Sequence, residues 1–554
     1  GVFREDLVPT ELASLVDVAD TTGLNSIFVQ SRELNENNTA AQLNVQLPFR
    51  IGRQVTGYFK TGGKLRWLDR ENDEEQNGRG NLQYGSGAGN LNDPLECIAE
   101  QLPDWDLNNV VGTMGVLPFR LVKSDYSRDD FLDGDFELAL VPDRAKMEEL
   151  ARALTNCEDE YLNQSVASLG RDYDGVERYQ AAYAMAEFHL GRRITFLPGV
   201  RWERDYSRYH GQRFRANASA GRDAPPDELT PLTIERDNSF VLPMAHLKFD
   251  ITDWLDLRLA YTETLTRPDY IQYAPITRID VFRSSINANN STLKPAHARN
   301  YDAAVSVHDN QLGLFTVAAF HKSIDDLIHF VSLSMKDDST FAAMFEENFA
   351  GTNVPRHWYE GAAPTLYTFR NNPYEATYTG FEIDWQTNFW YLPSFLKGIV
   401  LNANYTYITS ETTYEGFYAR PGRVIRQRPL VREWLVDDTL AVARMNDQPR
   451  HIANVTIGYD LKGFSSRLSF LWQTNRSTYV DPLVPGLNAF SGDYFRVDLA
   501  LRQKVGEGLE LFANLNNLNG RPDRNFRQSP DATNRPDYIE YYGFTMDLGA
   551  RYRF

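Results

Sequence analysis

The sequence predicts an all-β fold, a transmembrane antiparallel β-barrel with short periplasmic turns and long extracellular loops. Three observations carry this. First, Tyr542, Phe544, Met546, Leu548, Ala550, Tyr552 and Phe554 occupy every second position, with Gly543, Thr545, Asp547, Gly549, Arg551 and Arg553 between them. A period of two puts the apolar set on one face of a strand and the small or charged set on the other. Aromatics at both ends of the apolar face suit two membrane interfaces, and about 9–11 tilted residues cross a bilayer as a strand. Second, short and long connections alternate along the chain. Third, the 554 residues hold no run of eighteen apolar residues, yet 13% are aromatic. With a mean hydropathy of −0.47 membrane helices are excluded, whereas a barrel is not, because half of each of its strands faces a polar interior.

In chain order, residues 1–36 read as loop, with a short helix around Thr10–Val18. The first strand falls near Thr39–Phe49, with Ala41, Leu43, Val45, Leu47 and Phe49 on one face. After a turn at Ile51–Arg53, the next strand, about Val55–Arg70, places Lys60, Gly62, Lys64 and Arg66 on one face, which suits a wet lumen. Residues 72–177 break the pattern and read as a large extracellular insertion. A helix is expected from Asp143 to Asn156, capped by Asp143, with Met147, Leu150, Ala151 and Leu154 as its apolar stripe. Cys97 and Cys157 both lie in this insertion. Their pairing would close a loop of about sixty residues, worth roughly 4 kcal/mol by chain entropy; the alternative is two separately buried thiols. The acidic run Asp125–Asp135 lacks the spacing and late Glu of an EF-hand and reads as a solvated loop.

From residue 178 onward, short turns fall near Leu190–Arg193, Ile251–Leu255, Asp309–Leu312, Tyr391–Lys397, Leu461–Ser465 and Val505–Gly508. Long loops fall near 208–239, 267–298, 331–376, 411–448, 474–492 and 518–541. A soluble sandwich has no reason to collect its long loops at one end. Arg258, Glu382, Asp384, Arg496, Asp498 and Arg551 alternate with apolar neighbours. Together with Lys60, Lys64 and Arg66 they must face a lumen, because charge cannot face hydrocarbon. Counting back from Phe554 gives about fifteen strands. Bacterial single-chain barrels have even counts, and an open edge has no hydrogen-bond partner in lipid. The expectation is therefore the C-terminal part of a barrel of about twenty-two strands; the alternative is a complete barrel of sixteen. Neither a basic n-region nor an apolar h-region opens the chain at Gly1, so an exported protein would carry its leader elsewhere.

Several stretches resemble the barrels of TonB-dependent outer-membrane receptors. They are "GYFKTGGKLRWLDR" at 57–70, "LRLAYTETLTRPDY" at 257–270, "STLKPAHARNYDAAV" at 291–305, "GFEIDWQTNFWYLPSFLKGIVLNANYTY" at 380–407, "FANLNNLNGRP" at 512–522 and the ending "GFTMDLGARYRF". The family's N-terminal plug, TonB-binding box and first strands have no counterpart. The resemblance implies active import of a scarce ligand across the outer membrane of a Gram-negative cell, powered by TonB through the plug. It also implies that the lumen charges hold a plug more often than a substrate. Phe554 and Tyr552 would form the signal read by the barrel-assembly machinery, a role compatible with interface anchoring. A plugless passive porin and a surface binding protein are the rival readings.

Enzyme chemistry has little support. The nine His are scattered without metal-ligand spacing, and no G-x-S-x-G turn occurs. No cofactor is expected. A net charge of −18 disfavours a nucleic-acid surface. In the 331–376 loop, Trp358, Tyr359 and Tyr367 are candidate ligand-stacking aromatics, or they pack loop against loop.

Overall fold

The computed structural model describes residues 23–24, 26–80, 98–105, 107, 117–131, 136–138, 141–156, 169–216, 228–274, 276–280, 285–334, 365–427, 430–481, 487–528 and 534–553. Fifteen strands among them form one antiparallel wall that curls as a barrel. They are β1 (Ser26–Ile51), β2 (Val55–Gly80), β3 (Tyr173–Leu190), β4 (Ile194–Ala216), β5 (Glu228–Asp250), β6 (Leu255–Thr266), β7 (Ala296–Asp309) and β8 (Gly313–Asp325). There follow β9 (Ala376–Asn388), β10 (Ile399–Gln427), β11 (His451–Leu461), β12 (Phe464–Gln473), β13 (Tyr494–Val505), β14 (Leu509–Asn516) and β15 (Thr545–Tyr552). Each pairs with the next in sequence. Among the described residues no ladder joins β1 to β15, and every residue from 31 to 48 is exposed whichever face it occupies. Among the described residues the wall thus has two unpartnered edges, on β1 and β15.

Register confirms the two faces. Leu43, Val45 and Leu47 of β1 stand beside Gly63, Thr61 and Phe59 of β2, and Leu43 is 70% exposed. Leu548 on β15 is 66% exposed. Exposed tryptophans bound this apolar band. Trp254 and Trp390 lie by the short turns, where the Trp390 indole donates to the Asn310 carbonyl at 2.9 Å. Trp67 and Trp202 lie at the far end, where the Trp202 indole donates to Ser239 Oγ at 2.8 Å. Apolar rows between two wet aromatic belts are what a bilayer selects. No described helix is long and apolar enough to cross a membrane. The short turns fall where expected, with Gly191 and Gly506 at φ 66 and 67, a backbone state that costs Gly little.

Several expected boundaries need correction. The first strand begins at Ser26, thirteen residues before the predicted Thr39, and β2 continues to Gly80. The patternless stretch shrinks to 81–172, because β3 starts at Tyr173. Strands also run through most of the predicted 208–239 and 411–448 loops: β4 reaches Ala216, β5 starts at Glu228, and β10 pairs with a further strand, Leu430–Ala443. The reason is common to all. Beyond the bilayer both faces of a strand meet water, so alternation disappears while the backbone ladder continues. The predicted 10–18 helix lies outside the described residues.

The insertion does contain the predicted helix, α1 (Arg144–Asn156), and Asp143 Oδ1 accepts the Lys146 backbone N–H at 3.0 Å. Its buried positions are Leu150, Ala153 and Leu154; Ala151 is replaced in the stripe by Ala153. They pack with Ile98, Leu102, Leu107 and Val122 into a small apolar core that also touches Val29 of β1. A second sheet lies beyond the wall. Residues 277–280 run parallel to 213–216 of β4, and 285–287 run parallel to 365–367. The latter belongs to a hairpin, Ile328–Ser334 with Thr365–Asn371, that extends β8 and β9. This sheet ties β4 to wall strands four and five places away.

Candidate functional site

Beyond the Trp67–Trp202 belt, the charged faces of β2 to β5 converge with the segment after β6. Pro268 cannot donate to a ladder and ends β6 at Thr266. A one-turn helix, Tyr270–Tyr273, follows, closed by a capping box between Asp269 and Gln272. The chain is thereby turned back over the charged face, where five contacts hold it. Arg267 donates to Glu203 Oε2 at 2.6 Å and to Asp205 Oδ1 at 3.3 Å. The Tyr273 hydroxyl donates to Glu177 Oε1 at 2.9 Å. The Arg70 guanidinium lies 3.8 Å from the Tyr270 ring centre, and that of Arg236 lies 4.4 Å from the Tyr273 ring centre.

Glu177 is the hub. Its Oε1 also accepts the Tyr209 hydroxyl at 2.7 Å, and Arg66 approaches its Oε2 at 3.5 Å. Arg70 in turn donates to Glu36 at 2.7 and 3.1 Å and to the Tyr209 hydroxyl at 3.3 Å. Tyr209 is fully buried, and a Cβ at Gly175 would run into its ring. Glycine at 175 is therefore what admits the ring. Burial pushes the Tyr209 and Tyr273 phenols up, so both stay protonated donors. Burial lowers the Arg236 pKa. Its guanidinium donates to the Leu293 carbonyl, and no ion pair with a described carboxylate forms. Between wall and returning segment lies a cavity of about 280 Å³, lined among others by Arg66, Arg70, Asp205, Ser207, Arg236 and Tyr270. Its wall can donate and accept hydrogen bonds in every direction. Among the described residues no cluster could hold a metal ion.

The other charges expected in the lumen share the face opposite the exposed apolar rows. Lys60 and Lys64 lie below Arg66 on β2. Arg258 donates to Asp256 at 2.9 Å, whose carboxylate also meets His308 at 2.6 Å and is only 2% exposed. Arg496 donates to Asp498 at 2.9 Å. Glu382 and Asp384 pair across the ladder with Thr406 and Asn404, and Arg551 approaches Glu510 at 3.9 Å. Of the nine, only Arg66 reaches the cavity. Arg70, Glu177, Asp205, Arg236, Arg267 and Tyr273 were not singled out beforehand. Their one signal was the "TRPDY" stretch, whose Pro268 places Arg267 and Tyr270. Tyr367 stacks on Phe330 at 6.3 Å, strand against strand within the hairpin. Tyr552 is exposed at the end of β15. Phe554, Cys97, Cys157, Trp358 and Tyr359 lie outside the described residues.

An outward apolar face around a charged inner face defines a membrane β-barrel. The sequence profile described as "TonB dependent receptor-like, beta-barrel" matches residues 12–518, and the chain belongs to that family. No curated protein sequence matches. Among solved structures, the ferric-catecholate import receptor Fiu of E. coli K12 is 13% identical, over 94% of this chain and 55% of its own, with a TM-score of 0.53. The siderophore receptor PiuA of Acinetobacter baumannii is 14% identical, over 94% and 56%, with a TM-score of 0.51. The ferric citrate transporter FecA in its unliganded form is 13% identical, over 96% and 56%, with a TM-score of 0.50. At this identity the likeness is one of fold, and the chain spans little more than half the length of these receptors. The family is one of TonB-dependent receptor barrels.

Proposed function

We propose that this chain forms most of the wall of an outer-membrane importer that takes a ligand at its extracellular mouth and passes it through the lumen when TonB acts on a plug. The observation that carries this reading is the pocket beyond the Trp67–Trp202 belt, at the end of the lumen where a ligand would arrive. The charged inner rows, Lys60, Lys64, Arg258, Glu382, Asp384, Arg496, Asp498 and Arg551, hold the plug. Charge of both signs, partly paired as in Arg496 with Asp498 and Arg258 with Asp256, suits a docked polar domain better than a selective filter.

The two unpartnered edges support a further part of the reading. In hydrocarbon an unpaired N–H or C=O costs several kcal/mol, so additional strands of the same protein lie between β15 and β1. Fifteen strands run antiparallel here, and ring closure in alternating direction requires an odd number more. The residues at 552 and 554 serve assembly into the membrane. The test is genetic. Cells whose growth on a limiting nutrient depends on the intact gene lose that growth when TonB is deleted. Undiminished growth without TonB overturns the importer reading and favours a passive porin.

A further inference from the structure

The pocket's charge count bears on what it holds. Five guanidiniums, Arg66, Arg70, Arg201, Arg236 and Arg267, stand in or directly behind its wall. Five carboxylates, Glu36, Glu177, Glu203, Asp205 and Asp269, oppose them. Arg178 also borders the cavity, but it pairs with Trp67 across the ladder and so belongs to the outer face. Among the described residues the site therefore has no surplus charge for an ion to neutralise. An entering anion would lose its hydration and find every guanidinium but that of Arg236 already paired with a carboxylate. A cation meets the mirror-image difficulty.

Hydrogen-bonding capacity remains in both senses. Among the described residues Arg236 makes one bond, to the Leu293 carbonyl, and Arg66 one weak bond at 3.5 Å, although each guanidinium carries five N–H donors. Asp205 accepts from Arg267 and from Asn238 at 3.1 Å and retains lone pairs. Among the described residues the aliphatic lining is Leu68 and Pro268, one face of each of the Tyr179, Tyr270 and Tyr273 rings is taken by Arg267, Arg70 and Arg236, and Tyr206 pairs across the ladder with the outward Asp237. The wall thus offers little to a greasy or flat aromatic ligand.

We propose that this cavity binds a neutral, hydroxyl-rich ligand, a free sugar of roughly one or two rings in a site at the small end of the ligand-pocket range. Each hydroxyl both donates and accepts, so it replaces a water between a guanidinium and a carboxylate without disturbing their balance. Asp205 and Arg236 supply the two senses of bond, and Ser207 lies between them on the wall. The proposal rests on the importer reading for its biological use, but not for the binding itself.

The test uses the protein purified from outer membranes after expression of its full-length gene, titrated calorimetrically with glucose, maltose, glucuronate and citrate. Glucose or maltose binds, and glucuronate binds at least about tenfold more weakly than glucose, the loss of one uncompensated charge. Asp205→Asn, which leaves one positive charge in excess, weakens maltose by roughly tenfold and brings glucuronate above glucose. Should that variant fail to assemble, Ser207→Ala weakens maltose by roughly threefold with the charge balance intact. Absence of sugar binding, glucuronate equal to glucose on the unsubstituted protein, or variants that leave selectivity and affinity unchanged overturn the proposal. Sugar binding without TonB-dependent growth sinks the importer reading alone; TonB-dependent growth without sugar binding sinks this inference alone.

Discussion

The wall has a tall part and a short part. β1 and β2 have 26 residues each, β4 and β5 have 23, and β10 has 29. β6 has 12, β12 has 10 and β14 has 8. A bilayer asks for about 9–11 tilted residues, so the short strands are little more than membrane span. The tall strands carry a second storey in water. There the same backbone ladder obeys different side-chain rules. Arg204 and Asp237 pair at 2.5 Å on the outward face just above Trp202, a place where the short strands would be ending. The pocket lies within the tall part. Height is thus where a common membrane scaffold gains a site of its own.

The comparison breaks most visibly on arginine placed at two heights of the same face. Leu259→Arg on short β6, whose outward side chain is exposed, costs the assembled barrel about 2–4 kcal/mol if it sits near mid-bilayer. Glu235→Arg on tall β5, facing outward beyond the belt opposite Arg208, changes stability by no more than about 0.5 kcal/mol. Folding titrations in lipid vesicles measure both; equal costs would show that the second storey is not in water.

A smaller effect concerns the hairpin that extends β8 and β9. Burial, with Arg370 adding, pushes the His329 imidazole down to about 4, and its Nδ1 has no partner among the described residues. The folded hairpin therefore holds His329 neutral, whereas the open chain protonates near 6.5. Its stability is full above pH 6.5 and falls as pH drops from there through 4, by up to about 3 kcal/mol. Protection factors in hydrogen exchange across 328–334 and 365–371 should decline over that window. They should be flat for His329→Phe; a decline that persists in this variant assigns the sensitivity elsewhere.

The smallest effect separates the insertion from the wall. Asp143→Ala removes the cap of α1 and costs about 1 kcal/mol locally. Exchange in 144–156 should rise while β2 and β3 keep their protection. If the wall loosens too, the insertion core around Leu150 and Val29 is part of the barrel's own stability and not an ornament upon it.

The same division explains what was legible beforehand. Within the membrane span, water on one side and lipid on the other impose alternation, so the strands around Leu257, Phe381, Val455 and Leu548 and the turns between them could be read from period two alone. Above it, Arg32, Arg70, Glu74 and Arg208 look like loop residues because neither face excludes water. Arg66 was found because it still sits in an alternating row. Glu177, Arg236 and Arg267 were not, since their meeting depends on Pro268 reversing the chain, a tertiary event with a single-residue trace.

The sheet that ties residues 277–288 to 213–216 and to 365–367 has a consequence for assembly. Its partners are separated by some sixty to eighty positions along the chain, and closing such loops is slow and entropically unfavourable until the strands between are in place. The expected order is therefore wall first and mouth second. A fault there would leave the wall intact and the mouth unfinished.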